Sequence, residues 1–289
     1  MTDYVILTES TCDLTQEMAD SFGLEVVRLH VILDGKEYEN YLDGRELSFK
    51  DMYNSMRDKK LPTTSQVNIE SFTEAMEPIL SSGKDILYVA FSSPMSGTQN
   101  SGRLAAEELL EKYPGRKVEI VDTLAASLGE GYAVYMAAKK KEEGLSLEDN
   151  AAYVRNLVPH LAHTFTVTDL MHIMRGGRAT KSSAVIGSML GIKPIMHVND
   201  EGLMEPLGKV RGRKASIKRV VEIVKENMVS ADLPYFVGHG DCEDEAMELA
   251  DTLRNELGLK NVFVNYLGAI CGCHAGPGII GVFYYGKKR

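Results

Sequence analysis

Two hydroxyl-rich stretches carry the chemistry this chain could do: Pro62-Thr63-Thr64-Ser65-Gln66 and Ser92-Ser93-Pro94-Met95-Ser96-Gly97-Thr98. Closely grouped hydroxyls hold an anionic head group by donating hydrogen bonds, without bringing in a second charge. The second stretch follows the apolar run Ile86 to Phe91, which reads as a buried strand. In open α/β folds, ligands sit beyond the carboxyl ends of such strands. Thr64 and Ser96 are each read as lying in a turn ahead of a helix, where free amides and partial positive charge favour an acidic group. The plainer reading makes Ser65 and Ser96 caps and turn residues only. A third polar turn, His274-Ala275-Gly276-Pro277-Gly278, sets an imidazole beside backbone that glycine keeps bare. With its ordinary pKa of about 6.5, that ring would carry partial positive charge at neutral pH.

Other chemistries find less support. Asp169 and His172 have helical spacing, and Cys271-x-Cys273-His274 is a short cluster, but a metal site needs a second, convergent group. No metal is expected. His239-Gly240-Asp241-Cys242 puts a His and a Cys in one turn with no separate orienting group. Ser96 lacks a Gly-x-Ser-x-Gly surround, and Gly208 to Gly212 lacks the Lys and Ser/Thr of a phosphate loop. The enzymatic alternative is a reaction on an unknown small molecule with His274 as acid or base.

The 289 residues are enough for two domains, and 44% apolar with 25% charged residues is ordinary for a globular protein. A formal charge of -9 argues against nucleic acid as the main partner. The basic stretch containing Lys209, Arg211, Arg213, Lys214, Lys218 and Arg219 is either a solvated turn and helix start or a docking surface for an acidic partner. No run of 18 apolar residues exists, so no membrane span is expected, although transient membrane contact is compatible with this surface. The start, Met1-Thr2-Asp3-Tyr4, lacks a basic region followed by an apolar stretch. The cysteines (Cys12, Cys242, Cys271 and Cys273) are too scattered for a disulfide framework. A cytoplasmic location is the expectation.

The elements that must position these groups alternate. Short apolar runs at Tyr4–Thr8, Leu24–Leu33, Ile86–Phe91 and Lys117–Asp122 read as strands. Helical patterns follow Asp13 or Thr15, either of which could cap, and cover Ser48–Met56, Ile69–Leu80, Gln99–Lys112, Gly129–Glu143 and Asn150–Leu161. That order predicts a parallel sheet covered by helices. After residue 160 the texture changes. Strands are expected at His163–Val167, Ile195–Val198, Leu203–Leu207, Tyr235–Val237, Val262–Val264 and Ile279–Tyr285. Asn199-Asp200-Glu201-Gly202 marks a hairpin, and helices are expected at Asp169–Met174, Ala215–Met228 and Glu243–Glu256. Gly187 to Pro194 reads as a loop or helix end. The boundary is placed near residue 160, giving domains 1–160 and 161–289.

In ordered motifs over essentially its whole length, the chain resembles the DegV family of bacterial fatty-acid-binding proteins. The motifs are Thr8-Glu9-Ser10-Thr11-Cys12-Asp13-Leu14, Pro62 to Gln66, Ser92 to Thr98 with Asn100-Ser101, and Val121-Asp122-Thr123 before Ser127 and Gly129. They continue with Leu170 to Arg178, Lys193-Pro194-Ile195 and His274 to Gly278. Glu9 stands where the family usually has Asp, and the His turn lacks a second hydroxyl often found there. The resemblance implies a three-layer α/β/α domain with a parallel sheet and a two-layer α/β domain with a mixed sheet, with a long-chain fatty acid between them. It implies a carrier that presents the acid to a separate fatty acid kinase for acyl phosphate formation, with no autonomous catalysis and no cofactor. By the same resemblance Thr64, Ser65, Ser96 and Gly97 would hold the carboxylate, with Arg178 nearby and His274 assisting phosphotransfer. Met95, Met171, Met174, Met189 and Met196 fall near the motifs. Soft methionine side chains suit a tunnel wall, and Met95, Met171, Met189 and Met196 are expected there.

Overall fold

The computed structural model describes residues 3–180 and 191–289. Among these, the strands form three sheets. The first is parallel, in the order β2-β1-β6-β7, from β1 (Tyr4–Glu9), β2 (Glu25–Val27), β6 (Asp85–Ala90) and β7 (Val118–Asp122). Every residue of β6 is buried, which explains its continuous apolar run. Helices α3 (Ile69–Ser81) and α4 (Thr98–Lys112) cover one face, while α5 (Leu128–Glu142) and α6 (Leu147–Leu157) pack against the other. The chain leaves β1 toward β2 through α1 (Gln16–Phe22) and leaves β6 toward β7 through α4. The order therefore reverses between β1 and β6, and the carboxyl ends of these two strands open into a crevice.

The second sheet is mixed, in the order β10-β9-β8-β13-β11-β12. Its strands are β8 (Leu161–Thr166), β9 (Ile192–Val198), β10 (Met204–Arg211), β11 (Pro234–His239), β12 (Asn261–Tyr266) and β13 (Ile280–Tyr285). Helices α8 (Arg213–Asn227) and α9 (Glu243–Leu257) pack on one face. The other face meets α5, which thus lies between the two large sheets. Such a helix must be apolar on most sides, and its buried residues include Leu128, Tyr132, Ala133, Val134, Ala137 and Ala138. At Gly129 a Cβ would lie 2.0 Å from Nε2 of His163, so glycine lets α5 approach β8 this closely. The α/β class, the parallel sheet and the mixed sheet are as expected.

Local departures from the expected elements bear on the site. A small antiparallel sheet, β4-β3-β5, joins β3 (His30–Leu33), β4 (Lys36–Glu39) and β5 (Thr63–Ser65). Asp34 and Gly35, at φ 52° and 77°, make the β3–β4 hairpin turn. Thr64 therefore sits on a short strand opposite Val31 and not in a turn. Asn68, four residues further on, caps α3 by accepting from the Ser71 amide at 2.8 Å. The His274 segment is also more than a turn: α10 (Ala269–Ala275) carries His274 in its last turn. At α1, Thr15 is the cap, accepting from the Met18 amide at 3.1 Å, and Ser48 caps α2 (Phe49–Arg57) by accepting from the Asp51 amide at 3.1 Å. Of the expected loop or helix end at 187–194, residues 187–190 lie outside the described residues, and Ile192 to Pro194 form the start of a strand that runs to Val198, paired along its length to Met204–Arg211.

Candidate functional site

The crevice beyond β1 and β6 deepens into a cavity of about 450 Å³. Thr64, Ser65, Ser96, Gly97, His274 and Arg178 all line it, as does Met95. Four separate segments bring them there. β5 delivers Thr64 and Ser65 through its pairing with β3. The β6–α4 loop delivers Ser96 and Gly97, and is anchored by Ser92, whose hydroxyl donates to the Gly202 carbonyl at 2.7 Å. Arg178 follows the left-handed cap Gly177 of α7 (Leu170–Gly176), and its carbonyl accepts from the Met204 amide at 3.1 Å. Its Nε donates to the Met95 carbonyl at 3.2 Å, tying the second half of the chain to the loop of the first.

The two hydroxyl segments and the histidine meet directly. Nε2 of His274 lies 3.0 Å from Oγ1 of Thr64. The Ser96 hydroxyl is 2.8 Å from that of Thr98 and accepts from the Thr98 amide at 3.2 Å. Ser96 thus makes a local turn bond one residue ahead of Gly97, which is the cap position of α4, and lines the cavity as well. Gln66, quoted in the motif but given no role, also lines the cavity. A Cβ on Gly97 would fall 2.3 Å from its Oε1, so the Gln66 amide rests on the Gly97 backbone.

The remaining wall is largely apolar, with Phe91, Phe165, Val198, Met204, Ile270 and Phe283 contributing. These residues were not identified from the sequence. The only available signal was period-two alternation, and β8 is buried at every residue, so alternation could not say which face meets the cavity. The methionine expectations divide. Met95 lines the cavity; Met171 is 46% exposed on α7; Met196 is fully buried in the main core without lining the cavity. A helix residue near a motif can face solvent, and a strand residue next to the wall can face the core, so proximity in sequence was a poor guide for both. Met189 lies outside the described residues.

Burial, and then the nearby Arg178 guanidinium, push the His274 imidazole down to about 4. The ring is therefore neutral at neutral pH, which corrects the expectation of partial positive charge. Arg178 is the cationic side chain among the described lining residues. The bare backbone after His274 is not open space either. Gly276 and Gly278 have φ of +83° and +77°, and Cβ atoms there would lie 2.5 Å from His172 and 2.3 Å from Thr168. Those glycines let α10 close against α7 and the end of β8.

Beneath the cavity floor lies a buried acidic group. The Thr11 hydroxyl, at the floor, donates to Glu130 Oε2 at 2.8 Å, and Thr8 donates to Glu130 Oε1 at 3.0 Å. Glu9 accepts from the Tyr88 hydroxyl and from the Phe91 amide at 3.3 Å. Burial raises Glu9 and Asp13 to about 7 each, and burial with the neighbouring Glu9 raises Glu130. His163 at the wall is held neutral by burial, at about 3. It accepts from the Ala126 amide at Nε2 (3.2 Å), so its proton sits on Nδ1, which faces the Leu161 carbonyl at 3.0 Å. Among the described residues no group of three or more His, Cys, Asp or Glu side chains is placed to hold a metal ion. No helix there is long and apolar enough to cross a membrane.

Comparison with known proteins adds the following. A family model described as an uncharacterised protein, DegV family, matches residues 3–287. A DegV domain-containing protein of Clostridium perfringens is 40% identical over 290 residues, covering 100% of this chain and 99% of that one. A Thermus thermophilus structure described as fatty acid binding of a DegV family protein has a TM-score of 0.89 at 32% identity, covering 99% of this chain and 100% of that one. The structure of Bacillus subtilis DegV, described as a fatty acid binding protein, gives 0.86 at 28% identity, with 99% and 100% covered. With its motifs in order, its fold matched and its whole length covered, this chain belongs to the DegV family.

Proposed function

We propose that this protein binds one long-chain fatty acid and presents its carboxylate to a separate fatty acid kinase. The observation that carries the reading is the layout of the cavity. Thr64, Ser65, Ser96, Gly97, His274 and Arg178 converge at one region, and aromatic and aliphatic side chains line the rest. A chain of about sixteen carbons gains roughly 10 kcal/mol at most when its methylenes leave water. A desolvated carboxylate costs several kcal/mol unless it is hydrogen-bonded, so the hydroxyls fix its position and Arg178 offsets its charge. In this reading the acid lies between the halves 1–160 and 161–289, with Met95 against the chain. The descriptions of the Thermus and Bacillus relatives as fatty acid binders support it.

A transforming role for His274 has less behind it. An acid–base role needs one ring nitrogen oriented by a separate group while the other acts, and the hydrogen bond described for this ring, Nε2 to Thr64, lies on the cavity side itself. The experiment is organic extraction of the purified protein with mass spectrometry, followed by calorimetry of the delipidated form with C14 to C18 acids. One acid per chain is expected. No extracted lipid together with no binding heat would overturn the reading. Acyl phosphate should form from ATP only when a fatty acid kinase is added; a kinase-free sample that makes it would overturn the carrier role.

A further inference from the structure

A second cavity, of about 650 Å³, lies on the α8 side of the mixed sheet. Its origin is a break in pairing. β8 and β9 are bonded at Phe165↔Met196 and Thr166↔Ile195 and then diverge. The gap is bordered by β10, α8 and residues 287–289. Its charge is opposite to that of the molecule: Lys209, Arg219, Lys287, Lys288 and Arg289 line it against one acidic residue, Glu226, in a chain of net charge -9.

Part of that charge is already used. Arg219 pairs with Glu222 and Glu226 at 3.0 and 3.3 Å, and Lys287 donates to the Glu226 carbonyl at 2.8 Å. Among the described residues no carboxylate lies within 4.0 Å of the Lys209 or Lys288 ammonium groups. Two buried side-chain nitrogens in the lining are also unmatched. Arg289, 9% exposed, gives its Nη atoms to the carbonyls of Val158, Thr123 and Leu124, while its Nε has no partner. His197 has Glu205 at 3.9 Å from Nε2, and its buried Nδ1 has no partner. The buried Arg289 N–H without an acceptor is costly, and the neutral His197 ring can place its proton on Nδ1, so a resident acceptor would satisfy both.

We propose that this cavity binds a small phosphate-bearing anion, held by Lys209, Lys288, Arg289 and His197. Point-charge lysines with N–H donors from several directions suit a tetrahedral, multiply charged acceptor better than a planar carboxylate, which favours a bidentate fork. Ile195, Leu207 and Ile223 supply apolar wall for an organic body on that phosphate. The site shares the His163 wall with the fatty-acid cavity, and its two lysines play no part there.

The test is calorimetry of the full chain with inorganic pyrophosphate, AMP and octyl phosphate, with polyglutamate as the macromolecular control. Saturable one-to-one binding of pyrophosphate is expected, and whichever organic phosphate binds more tightly identifies a nucleotide-like or lipid-like body. The Lys209→Glu/Lys288→Glu variant, altered at exposed positions and checked for folding by circular dichroism, should bind at least about tenfold more weakly while keeping its fatty acid affinity. No binding of any of the three phosphates at millimolar concentration would overturn the proposal. So would undiminished binding in the variant, or polyglutamate binding that pyrophosphate does not displace.

Discussion

Nε2 of His274 and Oγ1 of Thr64 lie 3.0 Å apart although 210 residues separate them in the chain. The contact joins the last turn of α10 to strand β5 and sets two polar groups side by side in the cavity wall. A neutral imidazole and a hydroxyl can exchange donor and acceptor roles, so the pair can turn its protons toward an anion without changing net charge.

Replacing Thr64 and Ser96 together by Ala should weaken binding of a fatty acid more than binding of its methyl ester. A hydrogen bond to a charged group contributes about 1.5 to 3 kcal/mol, whereas the ester accepts only weakly. Paired calorimetric titrations give the answer. Equal losses for acid and ester would mean that the hydroxyls serve the fold alone.

His274→Ala should leave most lipid bound yet slow kinase-coupled acyl phosphate formation by at least about tenfold. Because burial holds the ring at about 4, its NMR signals in the delipidated protein should not titrate between about pH 6 and 8. An inflection near the ordinary histidine value would contradict the neutral assignment. An unchanged coupled rate at saturating kinase would remove the role in transfer.

Glu9→Gln should change how stability depends on pH. The Glu9 carboxyl is raised from 4.5 to about 7, so the native state holds a proton across that window which the unfolded chain releases. Stability from this group is therefore lost as pH rises from 4.5 to about 7. His274, lowered from 6.5 to about 4, has the opposite slope, with stability lost as pH falls through that range. The variant should lose Glu9's share of the first slope, leaving the parts from Asp13 and Glu130, which burial raises in the same direction, and keep the second. Melting curves at acid and neutral pH compare them, and parallel profiles for the two proteins would show Glu9 to be ionised in the fold.

The methionines should separate by location. Met171→Ala, at an exposed position, should alter neither lipid affinity nor stability by more than about 0.5 kcal/mol. Met196→Ala, in the core, should cost about 2 to 5 kcal/mol of stability. Met95→Ala should reduce affinity for the acyl chain, since its side chain lines the cavity. Chemical denaturation and lipid titration measure these effects; an affinity loss at Met171 would place the chain outside the cavity described.

The order of apolar runs and helical patterns by itself determined the parallel sheet, the mixed sheet and the hairpin at Asn199 to Gly202, because burial and turn chemistry are written at local spacing. Residue type and position marked Thr64, Ser96 and His274 as candidates, and the family resemblance added Ser65, Gly97 and Arg178. Three things waited for the tertiary structure. Convergence of those six depended on pairings between distant segments, such as β5 on β3 and α10 on α7, which no local pattern encodes. The neutral state of His274 and the raised Glu9 and Asp13 came from burial, which depends on what the whole chain packs around a group. The apolar wall also waited, because β8 is buried on both faces, and only the packing of α5 and the crevice against it decides which side chains meet a ligand.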